Sequence, residues 1–330
     1  MKAAVWTAYG PPSVLQIREV ETPIPRHDQV RIRIRATTVT AGDVEMRTLK
    51  LPMFLGLPMR LYVGLTKPGR LTVLGQELAG EVDSVGKDVT RFKAGDRVCA
   101  FAGFRLGGYA EYICLPETSG DSLIGPMPSD ASFEGAAALP FGALEALHFL
   151  RKAEIQPGDE VLINGAGGSI GTFGVQLAKH FGASVTAVDS TPKLDMLRSI
   201  GADHALDYQQ ENYWESGERY DVNFDVIGTS PYMPSMNALR PGGRFLMANP
   251  RLSYLMRGLV GQGSGKRLIA GSAARTAEDL AFVAERMEAG DLETVIDRTF
   301  PLEDIVGAHE YVETGAKQGN LVITVGGDKA

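Results

Sequence analysis

The 330-residue chain is 44% hydrophobic and 22% charged, carries 39 glycines and has a formal net charge of −7. That length suits two domains or one large one, and the balance is that of a soluble globular protein. The acidic surplus argues against a nucleic-acid or anionic-membrane partner, and every apolar stretch is too short or too interrupted by charge for a transmembrane helix. Residues 1–6 hold no signal-peptide core, and the two cysteines, Cys99 and Cys114, make neither a disulfide framework nor a zinc cluster, so the expected compartment is a reducing cytoplasm.

In chain order, Ala4 and Trp6, then Val30, Ile32 and Ile34, alternate with polar residues. With residues 80–85, 97–101 and 109–115 they predict short strands at hairpin spacing. Gly10-Pro11-Pro12, Thr22-Pro23, Lys93-Ala94-Gly95-Asp96 and Gly107-Gly108 supply the turns. An all-β unit, a small curled barrel, therefore comes first. Within it, residues 50–72 read as a strongly apolar loop, either a core or lid segment or the wall of an apolar pocket.

Residues 132–150, rich in Ala and Leu, predict helix. From 160 to 249, β-branched runs at 161–163, 185–188, 222–227 and 244–247 alternate with helical periods, the pattern of βαβ units and a parallel sheet. Ile170, Phe173, Leu177 and Phe181 mark the helix between the first two strands. Thr276, with Asp279 three residues on, opens a later helix through Leu280, Val283 and Met287, with Gly290 as its C-cap. The last strand falls at 321–325, and no internal repeat is present.

Asn164-Gly165-Ala166-Gly167-Gly168-Ser169-Ile170-Gly171 follows the first of those strands and opens the helix. Its core, Ala166-x-Gly168-x-x-Gly171, is one alanine away from the dinucleotide fingerprint. Such a turn needs glycine where the chain bends sharply and where backbone touches pyrophosphate, and the helix start adds amide donors from Ser169 and Ile170. The plain alternative is a glycine-rich turn with no ligand. Against it stands Asp189, ending the next strand, where an acid accepts bonds from the adenosine ribose. A carboxylate there repels a 2′-phosphate and favours NAD(H) over NADP(H); Ser190, Lys193 and Tyr208 are the groups that would instead receive that phosphate. Gly228 and Asn320 complete the residues assigned to the cofactor.

Ordered motifs along the whole chain resemble the medium-chain dehydrogenase/reductase superfamily, nearest its zinc-free quinone oxidoreductase (zeta-crystallin-like) branch. They are Gly75-Gln76-Glu77-Leu78-Ala79-Gly80-Glu81-Val82, Phe92-Lys93-Ala94-Gly95-Asp96-Arg97-Val98, Gly107-Gly108-Tyr109-Ala110-Glu111-Tyr112, Gln156-Pro157-Gly158-Asp159 and the glycine turn. Leu197-Arg198-Ser199-Ile200-Gly201-Ala202-Asp203 and Gly319-Asn320-Leu321-Val322-Ile323-Thr324-Val325 follow. The resemblance implies an α/β protein with a GroES-like β-barrel domain (residues 1–126 and 270–330) and a Rossmann doubly wound parallel-sheet domain (127–269). It further implies an active site in a cleft between them and a homodimer or homotetramer.

Zinc-dependent members hold their metal with Cys, His and Cys, leaving a position open to the substrate oxygen. By motif matching those positions are Thr40, Gln76 and Ala138 here, a set that makes no zinc site. Without zinc, reducing a quinone or an α,β-unsaturated carbonyl is easier to support than ketone–alcohol exchange, because charge delocalises onto oxygen as hydride arrives. Thr40 is the candidate proton donor beside the nicotinamide, Tyr62 a second, and Gln76 faces cofactor or substrate. Thr40 and Tyr62 each read more readily as a packing or positioning residue alone. Glu77 reads as a buried structural carboxylate. Gly142 replaces the usual threonine, and Glu145 faces cofactor or solvent. The function expected is zinc-independent, NAD(P)H-dependent reduction of a small apolar quinone or enone. A metal-free alcohol dehydrogenase or an enoyl-thioester reductase (hinted at by Arg60, Lys67 and Arg70) is the alternative, and a non-catalytic nucleotide-binding protein the last.

Overall fold

The computed structural model describes residues 1–50, 53–118, 120–249, 254 and 265–326. Its strands are β1 (Lys2–Trp6), β2 (Leu15–Glu19), β3 (Gln29–Thr38), β4 (Glu77–Val85), β5 (Arg97–Phe101), β6 (Tyr112–Pro116), β7 (Leu123–Pro126), β8 (Glu160–Asn164), β9 (Ser184–Asp189), β10 (His204–Asp207), β11 (Tyr220–Asp225), β12 (Leu239–Met247), β13 (Arg267–Ala270), β14 (Ile296–Pro301) and β15 (Asn320–Thr324). Its helices are α1 (Ala41–Thr48), α2 (Met53–Val63), α3 (Phe133–Ala137), α4 (Leu144–Lys152), α5 (Ser169–His180), α6 (Leu194–Ser199), α7 (Tyr232–Asn237), α8 (Ala277–Glu288) and α9 (Ile305–Glu313). The chain forms two compact units, Met1–Phe141 with Thr276–Glu288 and Ile296–Ala330, and Gly142–Arg275 with Ala289–Val295.

In the first unit β3 is the hub. Its alternating Val30, Ile32 and Ile34 are buried, and it pairs antiparallel with β4, with β6 and, at its far end, with β15. The ladder continues from β4 through β5 to β7, and β14 lies parallel to β15 at the other edge. Trp6, Leu74, Leu78, Val98, Leu115 and Ile323 fill the core beneath. Each such side chain contributes about 1.5–3 kcal/mol of burial.

The second unit is a six-stranded, all-parallel sheet in the order β10-β9-β8-β11-β12-β13. Val161, Leu162, Ile163, Val222, Phe224 and Phe245 are completely buried, which explains continuous apolar runs in place of alternation. The winding reverses between β8 and β11. Ligands of open parallel sheets bind at such a switch point, outside the carboxyl ends of the strands. The glycine turn leaves β8 there.

Several expectations need correction. The unit boundary falls after Phe141, not at 126, because the Phe141 amide donates to Glu77 Oε2 (2.9 Å) and Arg97 donates to the Ser129 and Ala131 carbonyls. At the other end it falls after Arg275, since β13 belongs to the parallel sheet. Residues 50–72 are not simply a loop: 53–63 form α2, where strong helix formers outweigh Pro58 in the middle. Leu51 and Pro52 lie outside the described residues. Leu57 and Leu61 are exposed, while Met59 packs on the core. The expected helix at 132–150 is two helices joined by a π-helical turn, Leu139–Ala143. The strand expected at 222–227 stops at Asp225, whose carboxylate draws in the Gly228 and Ser230 amides and turns the chain. The short strands β7, β10, β13 and β14 are additional. No helix among the described residues is long and apolar enough to cross a membrane.

Candidate active site

The glycine turn is built by its neighbours. The Gly165 and Ala166 amides donate to the Val188 carbonyl, and the Gly167 amide donates to Asp189 Oδ2 at 2.8 Å. Gly168 is the N-cap of α5 and supplies no side-chain cap, so the orphan donors of the first helical turn are not met by one. A methyl group on Gly171 would stand 2.4 Å from the Gly165 carbonyl oxygen and 2.6 Å from Ala166 Cα. Only glycine lets the helix start this close to the turn. A cradle of bare backbone at a helix N-terminus fits a pyrophosphate.

Asp189 is placed differently from a simple ribose acceptor. It is buried, and its Oδ1 accepts the Ser190 amide at 2.8 Å and lies 3.2 Å from Lys193 Nζ. The Lys193 side chain crosses Gly167, where a methyl group would meet its Cδ at 2.5 Å. Tyr208 is exposed, its amide held by the Asp189 carbonyl. Gly228 sits on Asp225, whose carboxylate also takes the Asn164 side-chain amide at 3.1 Å. Ala166, Gly168, Ser169, Ile170, Gly171, Asp189, Ser190, Lys193, Tyr208 and Gly228 thus all lie in the second unit: Asp189 ends β9, Ser169, Ile170 and Gly171 open α5, and the rest lie in the turns after β8, β9, β10 and β11. Asn320 does not: it is fully buried at the start of β15 in the first unit.

Gly142 and Glu145 also take definite places in this unit. A methyl group at Gly142 would meet the Phe173 ring at 3.2 Å, so the usual threonine would press on that ring and need it to give. Glu145 does not face solvent. It is buried and paired with Arg275; burial raises its pKa and the guanidinium counters that.

In the first unit, Thr40 caps α1. Its hydroxyl accepts the Asp43 amide at 3.2 Å and its amide donates to Asp43 Oδ2 at 2.9 Å, which makes a capping box; the hydroxyl also donates to Oδ2, at 2.6 Å. Gly42 brings Thr40 and Gln76 together: a methyl group there would be 3.5 Å from Thr40 Oγ1 and 3.8 Å from Gln76 Oε1. Gly75, at φ +93°, is packed against Tyr109 and Gly108 too tightly for any side chain. Glu77 is fully buried as expected, accepting the Thr38 hydroxyl at 2.6 Å and the Phe141 amide. Tyr62 lies in the last turn of α2. Its ring lies under Arg70 at 4.4 Å, and among the described residues no hydrogen bond or ring contact links it to Thr40 or Gln76.

The sequence reading missed the polar cluster behind Thr40. Asp43 is buried beside the Tyr109 hydroxyl, Tyr109 stands edge-on to His309 (5.6 Å between ring centroids), and Arg47 pairs with Glu313. Thr40 with Asp43 three residues on was a legible capping signal, but nothing local announced Tyr109 or His309.

Comparison with known proteins bears on both units. The alcohol dehydrogenase GroES-like domain family matches residues 26–125, and the zinc-binding dehydrogenase family residues 200–323. A quinone oxidoreductase of Pseudomonas aeruginosa is 31% identical over 98% of this chain and 99% of its own. The chain belongs to the medium-chain dehydrogenase/reductase superfamily, in its quinone oxidoreductase branch. An NADPH-dependent alkenal/one oxidoreductase of Arabidopsis thaliana is 32% identical over 98% of this chain and 79% of its own. The solved quinone oxidoreductase of Coxiella burnetii superposes with a TM-score of 0.87 at 29% identity, covering 98% and 99% of the two chains. As a member of this superfamily the protein is a nicotinamide-dependent oxidoreductase.

The superfamily's zinc donors are not reproduced. Thr40 is bonded to Asp43, Gln76 offers an amide, and Ala138 is a buried methyl. Among the described residues no group of three His, Cys, Asp or Glu side chains stands close enough to hold a metal ion. This donor set does not fit zinc.

Proposed function

We propose that this superfamily member reduces a quinone or an α,β-unsaturated carbonyl with NADH and without zinc. The observation that carries the proposal is the donor set at Thr40, Gln76 and Ala138, which cannot polarise a ketone as a metal would. It supports acceptors whose developing charge is already delocalised. The names of the Pseudomonas and Arabidopsis relatives point to the same two acceptor classes.

The second unit is read as the nucleotide domain, with the backbone of 165–171 against the pyrophosphate. The nicotinamide, when bound, supplies the hydride. This chain's residues hold the reactants and manage the proton: Thr40 at the acceptor oxygen and Gln76 across Gly42 from it. Preference for NADH rests on Asp189, since Lys193, the nearby cation for a 2′-phosphate, already faces that carboxylate at 3.2 Å. The NADPH named for the Arabidopsis relative is the competing observation.

The test is oxidation of NADH and NADPH side by side with quinone, enone and aldehyde acceptors, with and without chelator. Turnover of quinones or enones, preference for NADH and indifference to chelator are expected. Activity confined to alcohols or aldehydes, or abolished by chelator, sinks the proposal; a preference for NADPH sinks its cofactor half.

A further inference from the structure

Asp43 is 1% exposed, and among the described residues no Lys, Arg or His pairs with it. Arg47, one turn further along α1, is held by the Gly10 carbonyl and by Glu313. The Asp43 carboxyl instead meets the Thr40 amide at 2.9 Å, the Thr40 hydroxyl at 2.6 Å and the Gly75 amide at 3.3 Å, with the Tyr109 hydroxyl beside it.

A threonine hydroxyl has one proton and two lone pairs. When Asp43 is ionised, the Thr40 proton is committed to Oδ2 and one lone pair to the Asp43 amide, so Thr40 presents only an acceptor outward. When Asp43 is protonated, its own O–H takes the second lone pair, and the Thr40 proton is turned outward. The protonation state of Asp43 therefore sets whether Thr40 can donate.

We propose that Asp43 is the proton reservoir behind Thr40, a positioning residue that acts on the substrate only through that hydroxyl. This rests on the reading of the protein as a quinone or enone reductase. As hydride from the nicotinamide reaches the acceptor, an O–H bond forms on the acceptor oxygen and the Thr40 O–H bond breaks. A proton from the Asp43 carboxyl replaces it, leaving a carboxylate held by the Thr40 and Gly75 amides. One hydride and one proton are delivered, and solvent returns the proton to Asp43 after product leaves.

Burial raises the Asp43 carboxyl above the usual carboxylate range despite these donors. The groups around it do not compete. Burial holds Tyr109 well above its ordinary value and pushes His309 behind it down to about 3.

Infrared spectra of the cofactor-free protein across a pH series test the proton store directly. A protonated-carboxyl band that titrates above the ordinary Asp range and is absent from Asp43→Asn is expected. In turnover, D43N should bind NADH as the wild type does, lose about 100-fold in kcat and lose the alkaline fall of the wild-type profile. Thr40→Ser should keep both rate and profile, and Thr40→Val should lose the rate. No such band, or a D43N enzyme with wild-type rate and profile, overturns the proposal. A wild type that binds NADH yet reduces no quinone or enone defeats only the functional reading, and the infrared series still decides Asp43.

Discussion

Acidification should destabilise the first unit through His309. The side chain is completely buried on α9, edge-on to Tyr109, and neither ring nitrogen has a hydrogen-bond partner among the described residues. Burial, with the Arg47 guanidinium nearby, depresses its pKa from 6.5 to about 3. Between those values the unfolded chain binds a proton that the native state refuses. Stability is therefore present above the unfolded pKa and is lost as pH falls toward the folded one. At about 1.4 kcal/mol per pH unit, a drop from near pH 7 to near pH 5 removes about 2 kcal/mol. His309→Phe keeps a ring against Tyr109 and abolishes the titration. Urea unfolding of both proteins at the two pH values isolates the effect, because every other titrating group cancels in the difference. The wild type should lose about 2 kcal/mol more than the variant. Parallel losses, or an imidazole resonance of His309 that titrates near 6.5, would refute the reasoning.

Four further outcomes follow from the geometry. Asp189→Ala removes the partner of Lys193, and the ratio of kcat/KM for NADPH to that for NADH should rise about tenfold in steady-state kinetics; an unchanged ratio removes the case for NADH. Gly171→Ala places a methyl group 2.4 Å from the Gly165 oxygen, and calorimetry should show cofactor binding weakened at least about tenfold, the equivalent of ~1.4 kcal/mol. Glu77→Ala orphans the buried Thr38 hydroxyl and the Phe141 amide, and the first unit should lose about 2–4 kcal/mol in denaturant melts. Arg275→Ala leaves Glu145 buried and unpaired and should cost about 3 kcal/mol, most of it recovered when Glu145 is changed to Leu as well; additive losses would show that the pair is not coupled.

The parallel sheet was legible because fully buried strands are written as runs such as Val161-Leu162-Ile163, and the turn after β8 because only backbone fits there. Thr276 was a sound helix start: the Asp279 amide does donate to its hydroxyl, at 3.1 Å. What escaped notice were elements whose sequence carries little of their energy. β10 and β13 hold four residues each, and their place is set by pairing with longer, buried neighbours. α2 was hidden by Pro58, which costs a helix about 3 kcal/mol but not the helical preference of the residues around it. Glu145 was ambiguous because its partner, Arg275, lies 130 positions away.

The candidate site residues show the same limit in a sharper form. Asp43, Glu77, Asp189 and Asp225 are all buried, and each accepts at least one backbone amide from a loop or turn of the candidate site. A carboxylate in that role does the work of a cap: it cancels the cost of burying loop donors and fixes the loop's path. Sequence cannot separate this from ligand binding, because the same acid at a strand end suits both. Asp189 ends a strand where an acid suits a ribose, and in the structure its oxygens meet the Gly167 and Ser190 amides and Lys193. Asp189 shapes the turn and pairs with the lysine. Asp43 and Glu77 each also hold a hydroxyl, that of Thr40 and that of Thr38, at 2.6 Å. What separates them is the proposal that Thr40 stands at the acceptor oxygen, so that a proton on Asp43 has somewhere to go.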